Sequence, residues 1–324
     1  MSTALPPILT RRAARPLLLA ANVVGAAAFA WPFVLPGAVG GDAAHGIDAP
    51  WIMAGLLVCL CSLLFVQLGR GGMGPKAVAL LGILAAAMVA LRLPGYVAGA
   101  SAMFIVVLVA GASFGPSFGF VLGAVGTFAS GMFVGGVGPW LPFQMIAVGW
   151  VGMGAGLVPR DVSWKVRIAL LAAYGFVVGY AFGAVMNLWF WPFGSRGLDA
   201  GWAPQLGGAA NLRRYLTFYL QTSFAWDTAR AVGNTALVLV LGRPLLATLD
   251  RAARRLRVEV RAANPHTGEQ EPAGWPRPGD GSRKVRTPQG RTLGKSQAGR
   301  PAESATESRP PPAPETAPEV RVKR

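Results

Sequence analysis

The sequence predicts an all-α polytopic membrane protein, and three observations carry that prediction. Only 14% of the 324 residues are charged, against about a quarter in an ordinary soluble domain. The apolar residues gather into runs of about twenty, the length a helix rising 1.5 Å per residue needs to cross a bilayer. Lys and Arg gather at alternate ends of those runs, as the positive-inside bias requires, with Arg196, Arg213 and Arg214 the exceptions in the last opposite loop.

The runs are 16–36, 51–68, 76–93, 97–113, 117–135, 142–158, 166–192 and 215–242. Arg11, Arg12 and Arg15 precede the first. They imitate the basic region of a secretory signal, but no small-residue cleavage site follows, so this segment reads as a retained helix. The second run holds both cysteines, Cys59 and Cys61. Residues two apart on a helix point to nearly opposite sides, which excludes a disulfide and a shared metal between them.

Between the second and third runs, Gly69–Lys76 (GRGGMGPK) resembles a phosphate loop. Pro75 separates the last glycine from Lys76 and no Ser or Thr follows, so the segment reads as a short turn without nucleotide-binding capacity. The third run carries Gly82, Ala86 and Ala90 at four-residue spacing and ends at Arg92. Such a stripe permits close approach of another backbone, from this chain or from a partner.

The fifth and sixth runs are joined by Gly135–Met145 (GGVGPWLPFQM), a charge-free, helix-breaking and aromatic connection that presents Trp140 and Gln144. Within the sixth, the alternating glycines of Gly149–Gly156 (GWVGMGAG) suit helix packing better than a dinucleotide, because no strand precedes them. The seventh run ends with Asn187, Trp189 and Trp191; the eighth includes Gln221, Trp226, Asp227 and Arg230. Asp227 and Arg230 are three apart and can pair on one helix face. The tryptophans suit an interfacial aromatic belt as well as a ligand site, whereas amides at helix ends are not needed by a belt.

Arg70 and Lys76, then Arg160, Lys165 and Arg167, then Arg243, Arg251, Arg254 and Arg255 all fall on the side of the amino terminus under an eight-span arrangement. That side is expected to be cytoplasmic, with both termini on it. The same distribution accounts for the net charge of +16 without nucleic acid. His45 and His266 are isolated, and no metal-ligand cluster or catalytic motif is present in the sequence. From Arg257 onward Pro, Gly, Ser, Thr, Glu and Arg dominate, which predicts a disordered basic cytoplasmic tail over 257–324 able to touch anionic lipid. The expected organisation is a two-helix extension (1–70), a membrane core (71–256) and this tail.

Three pieces in order then resemble a known family: a small-residue helix ending in Arg92-Leu93-Pro94, the block AGASFGPSFGFVLGAVGTFASGMFVGGVGPWLPFQMIAVGWVGMGAG (110–156), and DTARAVGNTALVLVLGRPLL (227–246). They are similar to the substrate-binding S component of energy-coupling factor (ECF) vitamin transporters. The resemblance covers about 76–250 and implies a six-helix core, preceded here by two extra helices that the family pattern lacks.

It also implies that the protein binds a vitamin from outside and reorients on a transmembrane coupling subunit driven by two ABC ATPases. Gly82, Ala86 and Ala90 would meet the coupling subunit. Arg92, Trp140, Gln144, Asn187, Trp191, Trp226 and Asp227 are the candidate substrate-binding residues. No cofactor or metal is expected, and a corrinoid such as cobalamin leads the substrate classes on resemblance alone. A self-sufficient secondary transporter would call for mid-membrane charges, half-helices or an internal repeat. A membrane enzyme would call for a catalytic cluster on one face, which the sequence does not offer; a secondary transporter of a small organic solute is the alternative reading.

Overall fold

A computed structural model describes residues 14–34, 49–69, 75–93, 101–195, 199–206 and 208–263. The histidines, most of the Gly69–Lys76 turn, and the expected tail from 264 onward lie outside these residues. All described residues fall in the first of two units, Met1–Glu269.

The described chain is helical: α1 (Ala14–Val34), α2 (Ala49–Gly69), α3 (Pro75–Arg92), α4 (Met103–Phe114), α5 (Pro116–Ser130), α6 (Leu141–Ala155), α7 (Trp164–Gly194), α8 (Gly208–Thr222) and α9 (Phe224–Ala263). A π-helical turn, Gly131–Gly135, extends α5. Among the described residues, α3, α5 with its π turn, α7 and α9 are each long and apolar enough to cross a membrane.

Helix α4 is too short for that, about 18 Å at 1.5 Å per residue, but all twelve of its residues are buried. It meets α3, α5, α6 and α9 rather than lipid, so protein walls replace the length a lipid-facing helix needs. Gly115 turns the chain from α4 into α5 with φ 104°, a region that L side chains rarely adopt. Pro116 then opens α5, where its missing N–H costs nothing.

Helices α5 and α6 form the closest pair. A β-carbon on Gly152 would collide with the carbonyl oxygen of Gly119, and one on Gly119 would collide with that of Gly152. Gly123 stands equally close to the Val148 carbonyl. The alternating glycines of the sixth run thus serve helix packing, with Phe114, Phe118, Phe120, Phe143 and Met88 filling the core alongside. Gly152→Ala is expected to destabilise the protein by about 1–3 kcal/mol through overpacking. Thermal unfolding in detergent, followed by size-exclusion chromatography, reads that loss against Gly82→Ala, whose β-carbon meets open space.

A second glycine row joins α7 to α9. Gly175, Gly179 and Gly183 face Asn234, Ala231 and Asp227 in turn. The polar side chains of α9 donate to α7 carbonyls exposed by the missing β-carbons: Asn234 Nδ2 to Gly175 O (3.1 Å) and Arg230 Nη1 to Gly179 O (3.1 Å).

The expected eighth span, 215–242, is corrected. It divides at Ser223 into amphipathic α8 and a separate α9 that continues to Ala263, past the expected start of the tail at Arg257. No Pro or Gly marks the bend. Thr222 and Thr228 hydroxyls donate to the carbonyls four residues earlier, at 2.8 Å each, an arrangement that bends helices.

The two extra helices pair with each other and lie against α6 and α7. Trp150 Nε1 on α6 donates to Asn22 Oδ1 on α1 at 2.7 Å. Phe29 meets Phe143 edge-on at 5.1 Å, and Phe33 stacks near Trp191 at 6.4 Å. The first segment thus packs against the core helices α6 and α7.

Candidate functional site

The antiparallel succession of helices brings the ends of α3 and α7 to the same level as the starts of α6 and α9. Three groups of polar and aromatic side chains assemble there.

The first group is centred on Arg92, the last residue of α3. Its guanidinium donates through Nη1 to Ser130 Oγ (2.6 Å) and through Nη2 to Gln144 Oε1 (3.1 Å). Ser130 in turn donates to Thr127 O at 3.0 Å. Gly135, in the π turn, leaves room for the guanidinium, since a β-carbon there would stand 2.6 Å from it. The π turn and the breaker-rich segment after it thus shape the space in which Arg92 reaches across to α6. Trp140 folds its ring over Gly138 and is half-buried against the core. Phe143 and Trp189 face each other at 6.0 Å beside this group.

The second group surrounds Asp227 at the start of α9. Asp227 is 1% exposed and pairs with Arg230. The Arg230 guanidinium also lies over the Phe182 ring, 5.0 Å from its centroid. Gly183 cradles the carboxylate where any β-carbon would strike it. The Tyr219 hydroxyl faces the Asp227 carboxylate, and both groups are buried. Asn187 Nδ2 donates to Ser223 Oγ at 2.7 Å, and Ser223 O accepts from the Asp227 N–H at 2.9 Å. Asn187 and Asp227 are therefore linked through the bend between α8 and α9.

The third group is aromatic. Trp191 is 1% exposed, donates to Ala200 O at 2.9 Å, and meets Trp202 and Tyr215 edge-on at 5.3 and 5.2 Å. It secures the segment between α7 and α8. Trp226 is 60% exposed and turned away from its neighbour Asp227's burial site. Among the sequence-predicted residues, the structure brings Arg92 to Gln144 and Asn187 towards Asp227, while Trp226 stands apart.

Gly82, Ala86 and Ala90 are exposed along one face of α3. Ala77, Leu81, Ala85 and Met88 are buried on the opposite face. The small-residue face is thus not consumed by packing against α5, and the extra helices sit against α6 and α7 instead.

Sequence reasoning passed over Ser130, Phe182, Gly183 and Tyr219. Ser130 is one of three hydroxyl residues in its apolar run, with Ser117 and Thr127, a weak signal. Gly175, Gly179 and Gly183 repeat every four residues, which was a readable packing signature.

A family model described as ECF transporter, substrate-specific component, matches residues 76–242, more than half of the 324-residue chain. The match runs from the start of α3 into α9 and leaves α1 and α2 outside it. Neither a search of curated proteins nor one of solved structures returned a match.

Proposed function

The chain belongs to the family of ECF transporter substrate-specific components, a multi-pass membrane protein, and on that premise we propose that it captures a vitamin from outside the cell. It delivers the substrate by reorienting in the membrane on a transmembrane coupling subunit powered by two separate ABC ATPases. Both termini face the cytoplasm in this reading, which places the Arg92 and Asp227 groups at the external end.

The observation that supports capture most directly is the Arg92–Gln144 contact, which joins α3 to α6 across the mouth of the helix bundle. A charged donor, an amide and the half-buried Trp140 and Trp189 rings suit a flat heteroaromatic molecule with hydrogen-bonding edges. Arg92, Trp140, Gln144, Asn187 and Asp227 are proposed to face the substrate, with Trp191 and Trp226 at its margins. A corrinoid such as cobalamin leads, followed by other B vitamins and their precursors. Gly82, Ala86 and Ala90 are the proposed contact with the coupling subunit.

The purified full chain is expected to bind one vitamin without ATP, and mass spectrometry of co-purifying small molecules identifies it. Gln144→Ala should weaken that binding about ten- to a hundredfold, the effect of losing a hydrogen bond to a charged group. Uptake should require co-expressed coupling and ATPase subunits. Uptake by cells lacking them would overturn the coupled mechanism, and unchanged affinity in Gln144→Ala would remove that side chain from the site.

A further inference from the structure

At the opposite end of the bundle, α7 and α9 enclose a cavity of about 390 Å³. Five of its lining residues are arginines, Arg160, Arg167, Arg243, Arg251 and Arg254, against one acid, Asp250. Part of that charge is already engaged. Arg167 makes a two-pronged ion pair with Asp250, at 2.6 and 3.2 Å. Arg160 Nε and Arg167 Nη2 both donate to Ala112 O, near the end of α4, at 2.8 and 3.0 Å. These contacts hold the floor of the cavity in place and compensate the negative end of the α4 dipole.

The rim charge is paired with no acid among the described residues. Arg243, Arg251 and Arg254 are exposed on one side of α9, and Asp250 is committed to Arg167. Arg167 itself is 8% exposed, and its Nε is a buried donor without a partner among the described residues. Apolar Ile168 and Leu246 also line the cavity and are buried beside the arginines. A soluble anion gains nothing from such surface, whereas a molecule with a phosphate and a hydrocarbon portion uses both.

Height in the membrane points the same way. From Phe224, about twenty residues of α9 cross the hydrocarbon core, which brings Arg243 to its boundary. The Arg243 guanidinium there lies 4.4 Å from the ring centroid of Trp164, which opens α7, the pairing of basic and aromatic groups expected at an interface. The remaining arginines follow within about three helical turns, level with lipid headgroups and the water above them.

We infer that this cavity binds the phosphate-bearing headgroup of an anionic phospholipid, on the side opposite the substrate groups. Arg243, Arg251 and Arg254 meet the phosphate, and Ile168 and Leu246 meet the adjoining glycerol and acyl carbons. Basic pockets between helices at the cytoplasmic face are suited to such headgroups. The inference concerns lipid alone and does not depend on which solute is carried.

Native mass spectrometry of the full chain in detergent, titrated with palmitoyl-oleoyl phosphatidylglycerol or the matching phosphatidylcholine, tests it. One phosphatidylglycerol should be retained per chain in preference to phosphatidylcholine. The triple variant Arg243→Gln, Arg251→Gln, Arg254→Gln should weaken retention at least about tenfold, as removal of three near-surface cations implies. A control removing the same charge from the tail, Arg283→Gln, Arg286→Gln, Arg291→Gln, should retain the lipid. Equal retention of both lipids, equal loss in the control, or unchanged retention in the cavity variant would overturn the site. Displacement of the lipid by an equal concentration of inorganic phosphate would assign the arginines to a soluble anion and overturn the lipid assignment. Loss of uptake in the cavity variant with lipid retention unchanged would give the rim to a protein partner, with the same consequence.

Discussion

Ala86→Trp is expected to abolish vitamin uptake, a fall of at least about tenfold, while leaving vitamin binding by the purified protein unchanged; close small-residue contacts between membrane helices tolerate no such bulk. Ala86 is exposed, and its neighbours on the buried face, Leu81, Ala85 and Met88, point into the core. An indole at Ala86 therefore projects outward without entering the packed interior. Gly82, one turn earlier, has open space where a β-carbon would stand, so this face of α3 presents bare backbone to whatever approaches.

The measurement pairs radiolabelled vitamin uptake, in cells co-expressing the coupling and ATPase subunits, with binding to the detergent-purified variant. Ala86→Ser, which keeps the surface small, should retain uptake. Parallel loss of binding and uptake in Ala86→Trp would assign the stripe to internal packing instead. Full uptake by Ala86→Trp would remove this face from coupling altogether.

How far the sequence disclosed this architecture differs from one feature to the next. The helices are legible because lipid-suited runs must exclude charge, and composition reports that directly. The Asp227–Arg230 pair is legible because partners three residues apart share a helix face whatever the tertiary fold. The Arg92–Gln144 contact is not, since its partners are 52 residues apart and meet only through the packing of α3, α5 and α6. The same holds for Asn22 and Trp150, separated by 128 residues; that contact decides where the extra helices lie.

The bend at Ser223 escaped for a different reason. No Pro or Gly stands near Ser223 to break the run 215–242, and the bend arises from hydroxyl groups instead. The glycines of α7 were readable as a four-residue repeat, but only the structure shows that the carbonyls they uncover accept hydrogen bonds from Asn234 and Arg230.

That α7–α9 seam sets the second large effect. Arg230→Met should destabilise the protein by about 3–5 kcal/mol, the usual cost of removing one partner from a buried ion pair. Asp227 stays in the cradle of Gly183, almost fully buried, and the variant deprives it of its paired cation. Gly179 O loses its donor in the same step. Met retains much of the apolar contact with Phe182, so the loss reports on charge more than on volume.

The double variant Asp227→Leu, Arg230→Met removes both charges and should recover most of that stability, because an apolar pair of similar volume often replaces a buried ion pair at little cost. Thermal unfolding of the detergent-solubilised protein measures both. Vitamin binding by the double variant then separates two roles for the pair. A stable double variant that no longer binds places the carboxylate, with the buried Tyr219 hydroxyl beside it, at the substrate. A stable double variant that binds normally makes the pair a structural clasp between α7 and α9. Wild-type stability in Arg230→Met would show that the pair contributes nothing to the fold.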